Sequence, residues 1–379
     1  MTHDYNDSYV KVPVTVSREK HLTPARRFQG IPGVEVTRKG CLWAAWYSGG
    51  ETEGPDNFVV VVKSDDQGKT WTDAMFVVDP PGENVRAFDP CLWLDPIGRL
   101  WLFWAQSYSP KDLTISDGVN GVWGAWTANP DADLPEWSEP VRLADGIMMN
   151  KPTVLSDGAW AVPAAVWADG IGGGKTPERI RNICGANLVV SCDQGGTFVY
   201  RGGVAVPERC CDEHMFVELK DGRLWCLVRT DYGVGQSFSA DGGKTWTPGE
   251  DSNLRGPNSR FFIRRLQSGN LLLVNHDSPA RKEGESNWRR RDKLTAWISL
   301  DDGGSWVGGL LLDARDGVSY PDGVQERNGD IWIIYDHQRY EQGDILLARF
   351  TEADAMAGKD VSGRVELRMP INHSGGVKK

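Results

Sequence analysis

Short apolar and β-branched runs recur along the whole chain, among them Phe58–Val62, Leu100–Trp104, Leu188–Val190 and Leu294–Ile298. Clusters of Gly, Asp, Asn and Ser separate them, and only Thr351–Ala357 has a helix-like pattern. Runs of this kind between turn residues predict strands. A unit close to Gly-x-Leu/Ile-Trp begins at Gly40, Gly98, Gly158, Gly222, Gly269 and Gly329, at intervals of 58, 60, 64, 47 and 60 residues. Six copies of an all-β unit with several strands each predict a six-bladed β-propeller.

A second motif falls between these units, with the form Ser-x-Asp-x-Gly-x-Thr-Trp. It spans Ser64–Trp71, Ser191–Phe198, Ser239–Trp246 and Ser299–Trp306, with a degenerate copy at Thr127–Trp137. Its Asp and Ser can bond the turn's own backbone, its Gly allows positive φ, and its aromatic residue serves as a plug. Blade units are expected near 25–75, 76–140, 141–200, 201–250, 251–310 and 311–370, all in one domain. Ring closure is expected to pair Tyr9–Val16 with Val365–Met369, which would remove exposed strand edges.

Composition narrows the class. The 379 residues include 17 Trp, 44 Gly and 21 Pro, as in a turn-rich globular protein. A net charge of −10 disfavours nucleic acid or an anionic membrane as partner. No apolar stretch approaches the ~20 residues needed to span a bilayer. Met1–Asp7 has neither a basic segment nor an apolar run, so the chain reads as a cytoplasmic protein. Seven Cys, with no C-x-x-C spacing, read as reduced thiols rather than a disulfide framework or zinc knuckle. His214, His276 and His337 are scattered over three blades and read as satisfied polar residues, so neither a metal nor an organic cofactor is expected.

The four Ser/Asp boxes on six Gly-Leu-Trp units resemble the Asp-box (BNR) repeats of the sialidase superfamily, over residues 25 to 350. The resemblance implies an all-β, six-bladed propeller of the sialidase type and an exo-acting glycosidase, with an oligosaccharide or glycoconjugate as substrate. It also implies site residues: a Tyr nucleophile at Tyr320, its Glu partner at Glu213, an Asp acid/base at Asp56, and carboxylate-binding guanidiniums at Arg229 and Arg291. Asp56 shares its loop with Glu51 and Glu53, any of which can turn inward. A Tyr nucleophile needs a neighbouring base, since its free pKa is near ~10. Paired Arg donors match the geometry of a carboxylate, which Lys does not.

The family's first Arg, in Phe/Tyr-Arg-Ile-Pro, is missing here. The chain reads Phe28-Gln29-Gly30-Ile31-Pro32. Gln29 stands beside the vacant position, Asp336 occupies the place of the acid that supports that Arg, and Arg26, Arg27, Arg86 and Arg339 are the other guanidiniums that would have to reach in. Arg86 and Asp89, in Val85-Arg86-Ala87-Phe88-Asp89-Pro90, are further pocket candidates from the second blade. The departure widens the expected sugar from sialic acid to a uronic acid or another acidic or neutral sugar. Two alternatives stand beside hydrolysis: a carbohydrate-binding propeller without catalysis, and a propeller-fold polysaccharide lyase.

Overall fold

A computed structural model describes residues 21–81, 84–108, 118–171, 174–278 and 291–375. Six antiparallel sheets of four strands follow one another along the chain. The first is β1 (Gln29–Val36), β2 (Leu42–Ser48), β3 (Phe58–Ser64) and β4 (Phe76–Val78), and the second is β5 (Val85–Leu94), β6 (Leu100–Tyr108), β7 (Asn120–Thr127) and β8 (Val141–Asp145). The third is β9 (Thr153–Val154), β10 (Trp160–Val166), β11 (Gly185–Ser191) and β12 (Val199–Val204), and the fourth is β13 (Arg209–Glu218), β14 (Leu224–Thr230), β15 (Gly233–Ser239) and β16 (Glu250–Asp251). The fifth is β17 (Phe262–Arg265), β18 (Leu271–His276), β19 (Leu294–Ser299) and β20 (Val307–Asp313), and the sixth is β21 (Val318–Gln325), β22 (Asp330–His337), β23 (Asp344–Thr351) and β24 (Glu366–His373). First strands of neighbouring sheets touch around a common axis, and β1 also packs on β21. The result is a six-bladed β-propeller.

The six repeat glycines all occupy the turn between a blade's first and second strands, at φ between 85° and 97°. That conformation is costly for any residue with a Cβ, so the recurrence of Gly marks the turn. The second strands β2, β6, β10, β14, β18 and β22 are buried along their whole length, save the last residue of β6, Tyr108. Each is sandwiched between two neighbouring blades, which is why they read as continuous apolar runs rather than as alternating ones. Between the second and third blades, for example, Trp93, Trp101, Phe103, Trp160 and Val162 form one apolar layer. Full burial of each such side chain contributes about 1.5–3 kcal/mol or more.

The Ser/Asp boxes close the turns from β3, β11, β15 and β19 into each blade's outer strand. In the box after β15, Ser239 Oγ donates to Asp241 (2.8 Å) and accepts from Gly243 N (2.8 Å), while Asp241 accepts from Thr245 N (2.9 Å) and Thr245 Oγ1 (2.6 Å). Trp246 Nε1 donates back to Gly243 O at 3.1 Å. The box also locks neighbouring blades. A Cβ on Gly303 would lie 2.6 Å from Trp225 of the preceding blade. In the sixth blade a short helix, α1 (Glu352–Ala357), replaces the box, and Asp354 gathers the bonds of Thr351, Val361 and Ser362.

Of the two segments expected to close the ring, one lies among the described residues. Residues 366–373 pair with β23 as the outer strand of their own blade, so every described blade is built from consecutive strands. The expected partner Tyr9–Val16 lies outside the described residues. On the axis, Asp322 accepts from Val34 N (2.9 Å) and lies 3.1 Å from Lys151 Nζ and 3.4 Å from Arg260 Nη2. Lys151 also donates to the carbonyls of Val34 and Leu92, both at 2.5 Å. This buried network ties five blades together beneath the pocket described next.

Candidate functional site

Four of the first strands share a local device at the same end of the ring. β1, β5, β13 and β21 each carry a register shift, and at each shift a residue other than Gly has positive φ. These residues are Ile31 (58°), Asp89 (49°), the run Cys211, Asp212, Glu213 (58°, 60°, 40°), and Tyr320 (56°). A bulge re-aims side chains that a regular strand would alternate, and a left-handed non-Gly residue costs of order 1–3 kcal/mol. The carbonyls released in β13 are taken up: Asn150 Nδ2 donates to Glu213 O (2.8 Å) and His214 O (3.0 Å), and Trp167 Nε1 to Cys211 O (3.1 Å).

The bulges aim Ile31, Asp89, Cys211, Glu213 and Tyr320 into a pocket of about 590 Å³. Tyr47, Glu53, Trp167, Arg229, Arg291 and Arg339 complete much of its wall. Tyr320 and Glu213, 107 residues apart, are in direct contact. Tyr320 Oη donates to Glu213 Oε1 at 2.9 Å, and Arg229 Nη1 donates to the same Oε1 (2.5 Å) and to Tyr320 Oη (2.9 Å). Asn258 holds the guanidinium in place, accepting from Arg229 Nε through Oδ1 (2.5 Å) and from Arg291 Nη2 through its carbonyl (3.1 Å). Burial, reinforced by Glu213 and only partly offset by Arg229, Arg291 and Arg339, pushes the Tyr320 phenol above its ordinary pKa. The resting hydroxyl is therefore neutral at neutral pH.

The vacancy at Gly30 is filled from the opposite side. A Cβ on Gly30 would lie 2.9 Å from Asp336 Oδ2 and 3.1 Å from the Cβ of Arg339. Arg339 thus runs through the space that a side chain at position 30 would need. Its guanidinium lies 4.2 Å from the centre of the Tyr320 ring, and that of Arg291 lies 5.3 Å away. Arg339 Nη2 donates to Ser319 Oγ (2.7 Å), with Asp336 3.6 Å from Nε and Glu53 3.7 Å from Nη1. Burial opposes its charge, but Asp336 first, then Tyr320, Tyr340 and Glu53, hold its pKa above the usual value. Three guanidiniums consequently surround one phenol.

Other expected site residues lie elsewhere. Asp56 is exposed and takes no part in the pocket wall. The reason is its neighbour Asn57, which turns inward to bind Gly49 O (2.8 Å), Thr52 O (3.0 Å) and Gly54 N (2.8 Å). The loop carboxylate that faces the pocket is Glu53, which accepts from Tyr340 Oη at 3.2 Å. Gln29 is also outside the pocket. Its amide is engaged by Gly343 O, Asn372 and Trp46, where it joins the first and last blades. Arg86 is buried behind the wall, 4.1 Å over the Phe88 ring and 5.4 Å over that of Tyr47. Asp336 lies under the floor, accepting from Ile31 N (2.8 Å) and Ser319 Oγ (2.7 Å).

Asp89 does line the pocket and is only 4% exposed. Burial first, then Glu53 and Glu213, raise its pKa to about 8 against the pull of Arg86 and Arg260. The three histidines do not converge: His214 binds Asn187 O, His276 binds Asp292 O and His337 pairs with Asp344. Arg260 sits on the axis, donating to Met149 O, and Arg264 donates to Pro152 O. Glu53 was named in the sequence only as a loop neighbour of Asp56 able to turn inward, and Asn258, Tyr340 and Trp167 were not singled out.

Comparison with known proteins fits this architecture. The family model of the BNR repeat-like domain matches residues 40–333. No curated protein matches the chain in sequence. Among solved structures, a protein of unknown function from Dyadobacter fermentans is 19% identical with a TM-score of 0.59, covering 87% of this chain and 94% of that one. The Hadza microbial sialidase Hz136 is 19% identical with a TM-score of 0.63, over 82% of this chain and 64% of its own. The leech intramolecular trans-sialidase is 12% identical with a TM-score of 0.65, over 92% and 71%. At such identities the likeness concerns the fold. Because the repeat model spans most of the chain and the six blades follow its units, this protein belongs to the BNR repeat-like domain family.

Proposed function

We propose that this protein is an exo-acting glycoside hydrolase that removes a terminal sugar bearing a carboxylate. The observation that carries the reading is the Tyr320–Glu213 contact of 2.9 Å inside a pocket lined by Arg229, Arg291 and Arg339. A volume near 590 Å³ suits one sugar residue rather than a bound polymer. Arg229, Arg291 and Arg339 would hold the carboxylate through charge-assisted hydrogen bonds. The fold likeness to proteins named as sialidases supports the same class of chemistry.

In this reading Tyr320 Oη bonds to the anomeric carbon as its proton passes to Glu213 Oε1, and the bond to the leaving oxygen breaks as that oxygen takes a proton from an acid group of the pocket. A neutral phenol approaches an anionic sugar without the repulsion that a carboxylate nucleophile would meet. The raised Tyr320 pKa means that loss of its proton and attack are coupled, with Arg229 stabilising the charge that passes between the two oxygens. Water then attacks the same carbon, giving a proton back to that acid group, as the Tyr320 bond breaks and Glu213 returns the phenol's proton. Two displacements retain the anomeric configuration.

The test is release of 4-methylumbelliferone from glycosides of N-acetylneuraminic acid, its deaminated analogue, glucuronic acid, rhamnose and arabinose, with wild type beside Tyr320→Phe. Cleavage of an acidic sugar, reduced on the order of 10⁴-fold or more in the variant, is the expected result. Equal activity of the two proteins removes Tyr320 from the mechanism. Cleavage of neutral sugars alone removes the carboxylate. A product with ultraviolet absorbance from a new double bond replaces hydrolysis with elimination.

A further inference from the structure

In a regular strand successive side chains point to opposite faces, so adjacent cysteines hold their thiols apart. At the bulge of β13 they do not. Positive φ at Cys211, followed by the same at Asp212 and Glu213, turns both side chains to one side, and Cys210 Sγ lies 3.8 Å from Cys211 Sγ. The flanks are pinned: Arg209 pairs with Asp212 at 2.7 Å, and Trp167 Nε1 donates to Cys211 O at 3.1 Å. Both thiols are half-buried, and Cys211 forms part of the pocket wall. The hydrolase reading uses neither of them. The Cys211 contact first, then Arg229 and Asn258, lower the Cys210 thiol to about 7 against its burial, while Cys210 and burial raise Cys211. Much of Cys210 is therefore thiolate at neutral pH, the form that reacts with peroxide, beside a thiol placed to resolve it.

We propose that Cys210 and Cys211 form a redox modification site, a dithiol that a hydroperoxide converts reversibly into a disulfide ring in the wall of the pocket. In the first step the Cys210 thiolate attacks one oxygen of hydrogen peroxide, the O–O bond breaks, and hydroxide leaves to take a proton from water. Cys210 is then a sulfenic acid. In the second step Cys211 Sγ bonds to Cys210 Sγ, the S–O bond breaks, and the departing hydroxyl carries off the Cys211 proton as water. The two sulfurs are oxidised together by two electrons, and the peroxide is reduced to two waters. A dithiol reductant reverses the change by exchange through a mixed disulfide.

Closure changes the site because of where the ring lies. Cys211 Sγ leaves the pocket wall and the 210–211 peptide turns, two residues before Glu213, whose Oε1 is 2.9 Å from Tyr320 Oη. A displacement of ~1 Å at such a group costs on the order of 10²-fold in turnover. This effect rests on the hydrolase reading above; the chemistry of the ring does not. Adjacent Cα atoms across a trans peptide are ~3.8 Å apart, below the usual disulfide range, so the ring is readily reduced.

The experiment uses the reduced full chain, treated with hydrogen peroxide, blocked with N-ethylmaleimide in denaturant and digested with trypsin, which releases Cys210–Lys220 as one peptide. Before peroxide this peptide should carry two labels. After it, the peptide should carry none and weigh two hydrogens less than the unlabelled dithiol, and dithiothreitol should restore both labels. In Cys210→Ser the label on Cys211 should persist. Turnover of the glycoside that wild type accepts from the panel above should fall about 10²-fold with ring formation and return with dithiothreitol, while peroxide leaves Cys210→Ser at its own untreated level. Two labels retained at a dose that oxidises the exposed Cys192, sulfinic acid in place of the ring, or a link from either thiol to Cys184 overturns the assignment. So does a ring that leaves turnover unchanged in an enzyme that Tyr320→Phe inactivates. If wild type cleaves no glycoside, the hydrolase reading falls while the peptide mass still decides the ring.

Discussion

Replacing Arg339 by Met tests whether a guanidinium supplied from beyond β22 does the work of one missing at position 30. In the structure Nη2 is taken by Ser319 and Nε lies beside Asp336, which leaves the Nη1 edge toward the pocket, 3.7 Å from Glu53. One charge-assisted hydrogen bond to a sugar carboxylate contributes about 1.5–3 kcal/mol. At about 1.4 kcal/mol per factor of ten, Arg339→Met should weaken binding of an acidic monosaccharide about 10- to 150-fold. Calorimetric titration with N-acetylneuraminate, and with neutral N-acetylmannosamine as control, reads this directly. Asp336 keeps the bonds from Ile31 N and Ser319 Oγ in the variant, so thermal unfolding should shift only modestly. Relocation gives a sharper version. Because a Cβ at position 30 meets Asp336 and Arg339, Gly30→Arg alone should bind poorly, whereas Gly30→Arg combined with Arg339→Gly should regain at least part of the lost affinity. Unchanged affinity of Arg339→Met for the acidic sugar, or an equal loss for the neutral one, would refute the reasoning.

Three further outcomes follow from the buried groups. Asp322→Asn leaves Lys151 and Arg260 short of charge on the axis and should cost about 3–5 kcal/mol in urea unfolding; a loss under 1 kcal/mol would mean that water or relaxation compensates. Burial lowers His214 and His276 to a pKa of about 4. Their folded values lie below the ordinary one, so the stability they contribute is full above about pH 6.5 and lost as pH falls through about 4, on the order of 3 kcal/mol each. His214→Gln should therefore show a shallower acid-side decline than wild type, and identical slopes would rule out the linkage. Asp89 runs the opposite way: its raised pKa means stability present below about pH 4 is lost as pH rises through about 8, so Asp89→Asn should raise the Tm relative to wild type most at pH 9.

The sequence alone determined the repeat architecture. Six turns requiring positive φ and four Ser/Asp boxes are local signals, each satisfied within a few residues of its own position, and the continuous apolar second strands add a repeat visible along the chain. The Tyr320–Glu213–Arg229 contact was legible as well, because the chain order of a repeat fold carries each residue to a known place on the ring. What tertiary structure decided is whatever depends on two blades meeting. That Arg339 passes through the space above Gly30 follows from the approach of the last blade to the first, 309 residues apart in number. That Asp56 faces out, while Glu53 faces in, follows from which polar groups Asn57 reaches across its loop. The bulges at Ile31, Glu213 and Tyr320 use residues with no intrinsic preference for left-handed backbone, so composition gives no warning of them. Packing against neighbouring blades and the bonds to Asn150, Trp167 and Asp336 help to hold that strain, and those partners come from distant parts of the chain.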